Sequence, residues 1–283
     1  MLLGVIVNTY LTGVIMSQFF SYWSSSHKDP WWIRSLVAFL FIINATQACA
    51  VVYLSWFYCV TNFANPQIVG TDLWPYPLTN LTTAILAITN QMFQSWRIYK
   101  LTGNKIFVAF LAACSLTACG MGVAGAIEMS LHVHGPAKLV TLRPIVEGEL
   151  LLQCCVDVII AVHLSLIFCR SKTSFARTDR VLNILIRNAV QLGSFTAIFA
   201  LGIVLAFRLS SDTSMLVLFS LPIGRIYTHT MMDQLVSREE LTAILLRTTS
   251  SMFSNSSQIS AEQSNGGAYA GGSHELGPVP FLA

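Results

Sequence analysis

Apolar residues fall in long unbroken runs along this chain, separated by short polar stretches. Crossing about 30 Å of hydrocarbon takes roughly 20 apolar residues in a helix. On that ruler seven runs qualify: Leu2–Tyr22, Ile33–Tyr58, Leu78–Trp96, Ile106–Ile127, Val146–Phe168, Leu182–Phe207 and Ser214–Val236. The third and seventh are the most polar, and inside a bundle they can share polar partners. The pattern predicts an all-α fold, a polytopic membrane bundle of seven transmembrane helices over residues 1–249.

The stretch from Arg170 to Arg187 joins the fifth and sixth runs. It holds five of the sixteen Lys and Arg residues (Arg170, Lys172, Arg177, Arg180 and Arg187) and one acid, Asp179. Thr178 and Asp179 read as a helix start, an oxygen for free backbone N–H groups and an acid at the positive end of the dipole. Arg177, Arg180 and Arg187 then share one helical face and Val181, Leu185 and Ala189 another, an amphipathic entry into a membrane helix.

Charge sets the orientation. The first, third and fifth connections and the tail hold eleven Lys and Arg residues: Lys28, Arg34, Arg97, Lys100, Lys105, Arg170, Lys172, Arg177, Arg180, Arg238 and Arg247. The other three connections hold Lys138, Arg143 and Arg208. The positive-inside rule therefore predicts the N-terminus outside and the C-terminus in the cytoplasm. Trp23, Trp31, Trp32, Trp74, Trp96 and Tyr99 fall at the expected interface depths. Residues 250–283 are Ser- and Gly-rich and predict a disordered cytoplasmic tail open to phosphorylation.

Composition supports the same class. Apolar residues make up 54% and charged residues 10%, with mean hydropathy +0.63; a soluble domain carries about a quarter charged residues. The net charge of +3 comes from short loops, which points to anionic headgroups rather than nucleic acid as the counter-surface. The plasma membrane is expected in preference to an internal one. The first run begins at Leu2 with no basic segment or cleavage pattern, so no cleavable signal peptide is read. A start inside a span reads as an incomplete N-terminus. All seven cysteines lie within or at the ends of apolar runs and read as small hydrophobes, with Cys169 placed for palmitoylation beside the basic loop. The sequons at Asn44, Asn80 and Asn255 are expected to stay unglycosylated.

Polar groups at membrane depth cost free energy unless partnered, so each is a candidate site. Glu149, Gln153 and Asp157 form one stripe on the fifth run. It reads either as a polar cavity, with Asn90 and Gln94 as further lining, or as interhelical hydrogen bonding to Asn90, Gln91 or Gln94. Arg225, His229 and Asp233 form a stripe on the seventh run, and Asp157 is the expected counter-charge to Arg225. Glu128, His132 and His134 include zinc-ligand types, yet no HExxH pattern is present and His163 lies elsewhere. They read as an exposed loop pair, and no metal or cofactor is expected.

Several activities are excluded by missing motifs. The seventh run has no lysine for a retinal Schiff base, and no Walker A, GxSxG or GxGxxG pattern stands in context. The third run ends FQSWRIY rather than DRY, and the seventh has LPIGRIY in place of NPxxY, which disfavours an ordinary rhodopsin-class receptor.

Three stretches together carry a resemblance: QMFQSWRIYKLTGNK from Gln91, DVIIAVHL from Asp157, and RTDRVLNILIR from Arg177 with the following runs through YTHTMMDQLVSR, ending at Arg238. They resemble a group of basidiomycete multi-pass membrane proteins defined by a C-terminal domain of unknown function (domain of unknown function 6534). That domain would cover about Asp157 to Leu241. The resemblance implies seven-span membrane proteins with no assigned activity, cofactor or ligand. It also implies an Asp and a His in the second span, where this chain has Asn44 and Gln47, and an Asn where it has His229.

Two function classes follow, neither an enzyme. One is a receptor-like or sensory protein whose basic loop docks a cytosolic protein. The other is a structural or lipid-organising protein whose basic loop only holds anionic headgroups. A transporter or intramembrane hydrolase stands third, without paired broken spans or a metal set to support it.

Overall fold

The computed structural model describes residues 2–24, 30–63, 73–131 and 137–170, fourteen helical positions between 186 and 205, and residues 220–236. Among them every regular element is helical. These are α1 (Leu2–Ser24), α2 (Trp31–Trp56), α3 (Pro75–Thr102), α4 (Lys105–Leu131), α5 (Ala137–Arg170), α6 (described over 193–199) and α7 (220–236). α2 runs on through one π-helical turn, Phe57–Thr61, closed by the Asn62 backbone and side-chain amides donating to Phe57 O.

Among the described residues, four helices are long and apolar enough to cross a bilayer: Leu2–Ser24, Trp31–Thr61, Lys105–Leu131 and Pro144–Arg170. Their outward faces carry exposed apolar side chains, among them Ile6, Phe20, Ile42, Phe110, Leu116 and Val162. Such faces, on helices of this length and composition, suit a lipid surround. The chain is an integral membrane protein.

α3 differs. Its 28 residues extend roughly 40 Å, but its buried face includes Thr79, Thr82, Thr83, Asn90, Gln91, Gln94 and Ser95. Other helices, rather than lipid, cover that face. α2, α4 and α5 all pack on α3. The helix begins with Pro75 in its first turn, where a missing N–H costs nothing. It ends at Gly103 with φ 68°, whose N–H bonds to Tyr99 O at 2.8 Å. Asn104 then caps α4 by accepting from the Phe107 N–H. A two-residue turn therefore sets α3 and α4 side by side and antiparallel.

The helices outrun the apolar runs that announced them. α3 was expected over Leu78–Trp96, and α5 begins at Ala137 rather than Val146, with Pro144 inside it. Lys138 and Arg143 accordingly lie on helix, not loop. The sixth and seventh expected spans are described only in part. Lys172, Arg177, Arg180, His132, His134 and the tail lie outside the described residues.

α7 occupies the centre. Every residue from 221 to 228 is buried. Ile223, Tyr227, Met231, Met232 and Leu235 share one core with Ile15 and Phe19 of α1, Val37 and Leu40 of α2, Leu86 of α3 and Leu150 of α5. A second core joins Ile98, Leu111, Val156, Ile160 and Leu164 of α3, α4 and α5.

Candidate functional site

The polar groups of the interior gather around α7. On one side Tyr227 Oη donates to Asp157 Oδ2 at 2.6 Å, and Gln91 Nε2 donates to Asp157 Oδ1 at 3.1 Å. One turn back along α5, Gln153 Nε2 donates to Glu149 Oε1 at 3.1 Å. Glu149, Gln153 and Asp157 are each no more than 2% exposed. The i, i+4 spacing aligns the three along one face of α5, and α3 meets that face through Gln91.

Glycine lets the helices close on this stripe. A Cβ at Gly122 of α4 would collide with Glu149 Oε1 and come within 2.7 Å of Ala84 Cβ. The Gly122 carbonyl accepts from Asn80 at 3.1 Å. α6 approaches the other end, where a Cβ at Gly193 would stand 2.8 Å from Ala161 Cβ.

The opposite side of α7 holds Arg225, which is fully buried. Its Nε donates to Asn8 Oδ1 at 3.2 Å, and its Nη1 to Asn44 Oδ1 at 2.6 Å and Asn44 O at 3.0 Å. Asn44 Nδ2 donates in turn to Thr228 Oγ1 at 2.9 Å. Thus α1, α2 and α7 are tied by neutral amides around one guanidinium.

The expected ion pair between Asp157 and Arg225 does not form. Asp157 is taken by Tyr227 and Gln91, and Arg225 by Asn8 and Asn44. The cause is rotation: residues 225 and 227 leave a helix about 200° apart, so Tyr227 faces α5 and Arg225 faces α1 and α2.

The expected cavity residues meet only in part. Of the three amides on α3 that could have bonded the stripe, Gln91 does so. Gln94 Oε1 instead accepts from Arg97, and the buried Asn90 amide has no hydrogen-bond partner. Two grooves open elsewhere. One of about 880 Å³ lies between α2 and α3, lined by Trp32, Leu36, Phe39, Phe93, Trp96 and Lys100. Another of about 630 Å³ lies between α3 and α4, beside Trp74, Leu78 and Ile127. Glu149, Gln153 and Asp157 line neither.

Residues 153–240 match a family of unknown function (DUF6534). No curated protein and no solved structure matched the chain. The matched stretch, close to the expected 157–241, contributes Gln153, Asp157, Arg225 and Tyr227. Asn8, Asn44, Gln91 and Glu149 lie before it, so the polar interior joins the matched stretch to the rest of the chain.

At the far end of α7, Gln234 Oε1 accepts from Arg97 Nη1 at 2.7 Å, which ties α7 to the end of α3. Of the expected basic surface, Arg170 and Arg187 are described and exposed. Among the described residues, no three His, Cys, Asp or Glu side chains group as metal ligands. Glu128 is half-buried, and the His163 ring packs against Phe107, tilted by 34° with ring centres 4.2 Å apart. The seven cysteines are free thiols.

Sequence reasoning missed Asn8 and Tyr227 and gave Asn44 no structural role. Asn8 and Asn44 each stand as an amide inside an apolar run, a costly placement and the one signal that could have marked them.

Proposed function

We propose that this chain is a receptor-like or sensory membrane protein. It has seven spans, the N-terminus outside and the C-terminus in the cytoplasm, and it resides in the plasma membrane. The Lys and Arg asymmetry supports the orientation, and the resemblance read from the sequence supports a fungal, basidiomycete origin. The reading is non-enzymatic and needs no cofactor. The observation that carries it is α7, a largely buried helix that meets Asp157 and Asn44 at the middle of its described length and Arg97 near its last residues. A rearrangement at Glu149, Gln153 and Asp157 would reach the end of α3 through one rigid element. The basic stretch from Arg170 to Arg187, whose charge predicts the cytoplasmic side, would offer charge to a cytosolic protein partner.

Proximity labelling from a biotin ligase fused after Ala283 tests this, comparing wild type with Arg177→Glu/Arg180→Glu. A defined set of cytosolic proteins lost in the variant supports the reading. An unchanged list of general membrane neighbours overturns it.

The groove between α2 and α3 favours a second reading, a lipid-organising protein. Trp32 and Trp96 meet edge to face at 5.2 Å, and Lys100 Nζ lies 5.7 Å from the Trp96 ring centre, so an apolar slot ends in a cation suited to an anionic headgroup.

A further inference from the structure

Arg225 carries a full positive charge into the centre of the bundle without a carboxylate partner. Its three hydrogen bonds go to Asn8 and Asn44, all to neutral oxygens, and its Nη2 has no partner. Amide oxygens complete hydrogen bonds, but they do not cancel a charge held in an apolar interior, where an isolated cation is costly. The nearby carboxylates are held on the other face of α7. Both oxygens of Asp157 accept from Gln91 and Tyr227, and Glu149 packs against α4 at Gly122.

A second unused donor stands close by. Gln47 is fully buried, and neither of its amide atoms has a partner. It lies one turn along α2 from Asn44, on the same helical face. Its amide packs against Gly224, the residue before Arg225: a Cβ there would lie 3.3 Å from both amide atoms and 3.0 Å from Thr83 Oγ1. The absent side chain at 224 therefore lets an amide of α2 and a hydroxyl of α3 converge on the backbone beside Arg225.

We infer that Arg225 and Gln47 form a buried site for a small monovalent anion, a halide or a short carboxylate. The guanidinium supplies the charge and Nη2 one donor, and Gln47 Nε2 supplies a second; the Thr83 hydroxyl only lines the site, because it already donates to Thr79 O at 2.8 Å. One positive charge balances one negative charge, which selects against divalent oxyanions. Bulky anions are excluded by the packing of α1, α2 and α7. This site goes beyond the receptor-like reading and stands apart from it, because it is read from anion binding to the purified protein and not from partner recruitment.

The test is thermal unfolding of the full chain in detergent at fixed ionic strength, with potassium gluconate replaced stepwise by potassium chloride or potassium acetate. The inference predicts a saturable upward shift in apparent Tm. A shift with chloride alone assigns the site to a halide, and one with acetate to a carboxylate. Arg225→Gln is expected to lose the shift, while Arg187→Gln, on an exposed position, keeps it. Should Arg225→Gln fail to fold, Asn44→Asp decides the matter. It places a carboxylate against Nη1, so it should match or exceed the chloride-saturated wild type in gluconate and ignore added chloride. Identical wild-type melting in all three salts overturns the inference. So does a shift that rises without saturating, or one that persists undiminished in Asn44→Asp.

Discussion

Tyr227 and Asp157 share a hydrogen bond of 2.6 Å with both residues buried. Because Arg225 two positions earlier turns to Asn44, α7 ties α5 on one face and α2 on the other. The interior is thus two polar clusters on one helix, where the spacing of charges alone had predicted a single ion pair.

Tyr227→Phe removes the donor and leaves Asp157 Oδ2 without it. Polar contacts in membrane bundles couple by roughly 0.6 kcal/mol on average and up to about 1.7 kcal/mol. A double-mutant cycle of Tyr227→Phe with Asp157→Asn, followed by reversible unfolding in detergent, is expected to give a coupling within that range. Additive effects would show that the bond contributes nothing.

Arg225 should couple to its amide partners and not to Asp157. Arg225→Gln combined with Asn44→Ala is expected to cost less than the sum of the two single changes, since both break the same contact. Arg225→Gln combined with Asp157→Asn is expected to be additive to within about 0.5 kcal/mol. Strong coupling in the second cycle would restore the ion pair.

The close approach of α4 to α5 makes Gly122 intolerant of a methyl group. Gly122→Ala is expected to destabilise by roughly 1–3 kcal/mol, the cost of overpacking a close-packed interior. Gly120 lies two residues away with nothing within 4 Å of a built Cβ, so Gly120→Ala should be neutral or stabilising by about 0.5–1 kcal/mol. Melting of the two purified variants side by side checks the contrast.

At Gly103 the constraint is backbone rather than space. Its φ of 68° lies in the left-handed region and a Cβ would meet nothing within 4 Å. Gly103→Ala should therefore cost about 1–2 kcal/mol, and Gly103→Asn less, because Asn tolerates this conformation at helix ends. Equal melting of Gly103→Ala and wild type would contradict this.

What could be read from the sequence follows from what faces lipid. α1, α2, α4 and α5 expose apolar surface to the bilayer, so apolar runs announce them. α3 and α7 are sheltered by other helices, so their buried faces can be polar, and Gln91 or Arg225 dilutes the signal. The ends of α3 were marked by Pro75 and Gly103, signals of backbone geometry that an apolar ruler does not register. The stripe of Glu149, Gln153 and Asp157 was legible because all three lie on one helix. Their partners on α3 and α7 depend on rotation about each axis, which charge type does not encode. Asp157 therefore went to Tyr227 rather than Arg225.

The receptor-like account places control of cytosolic coupling in the buried contact between Tyr227 and Asp157. Its most direct test is proximity labelling after Ala283 in Tyr227→Phe, at matched protein levels, beside Arg177→Glu/Arg180→Glu. The account predicts that removing one buried hydroxyl changes the same set of labelled cytosolic proteins as charge reversal in the basic loop. A labelling pattern in Tyr227→Phe identical to wild type would contradict it.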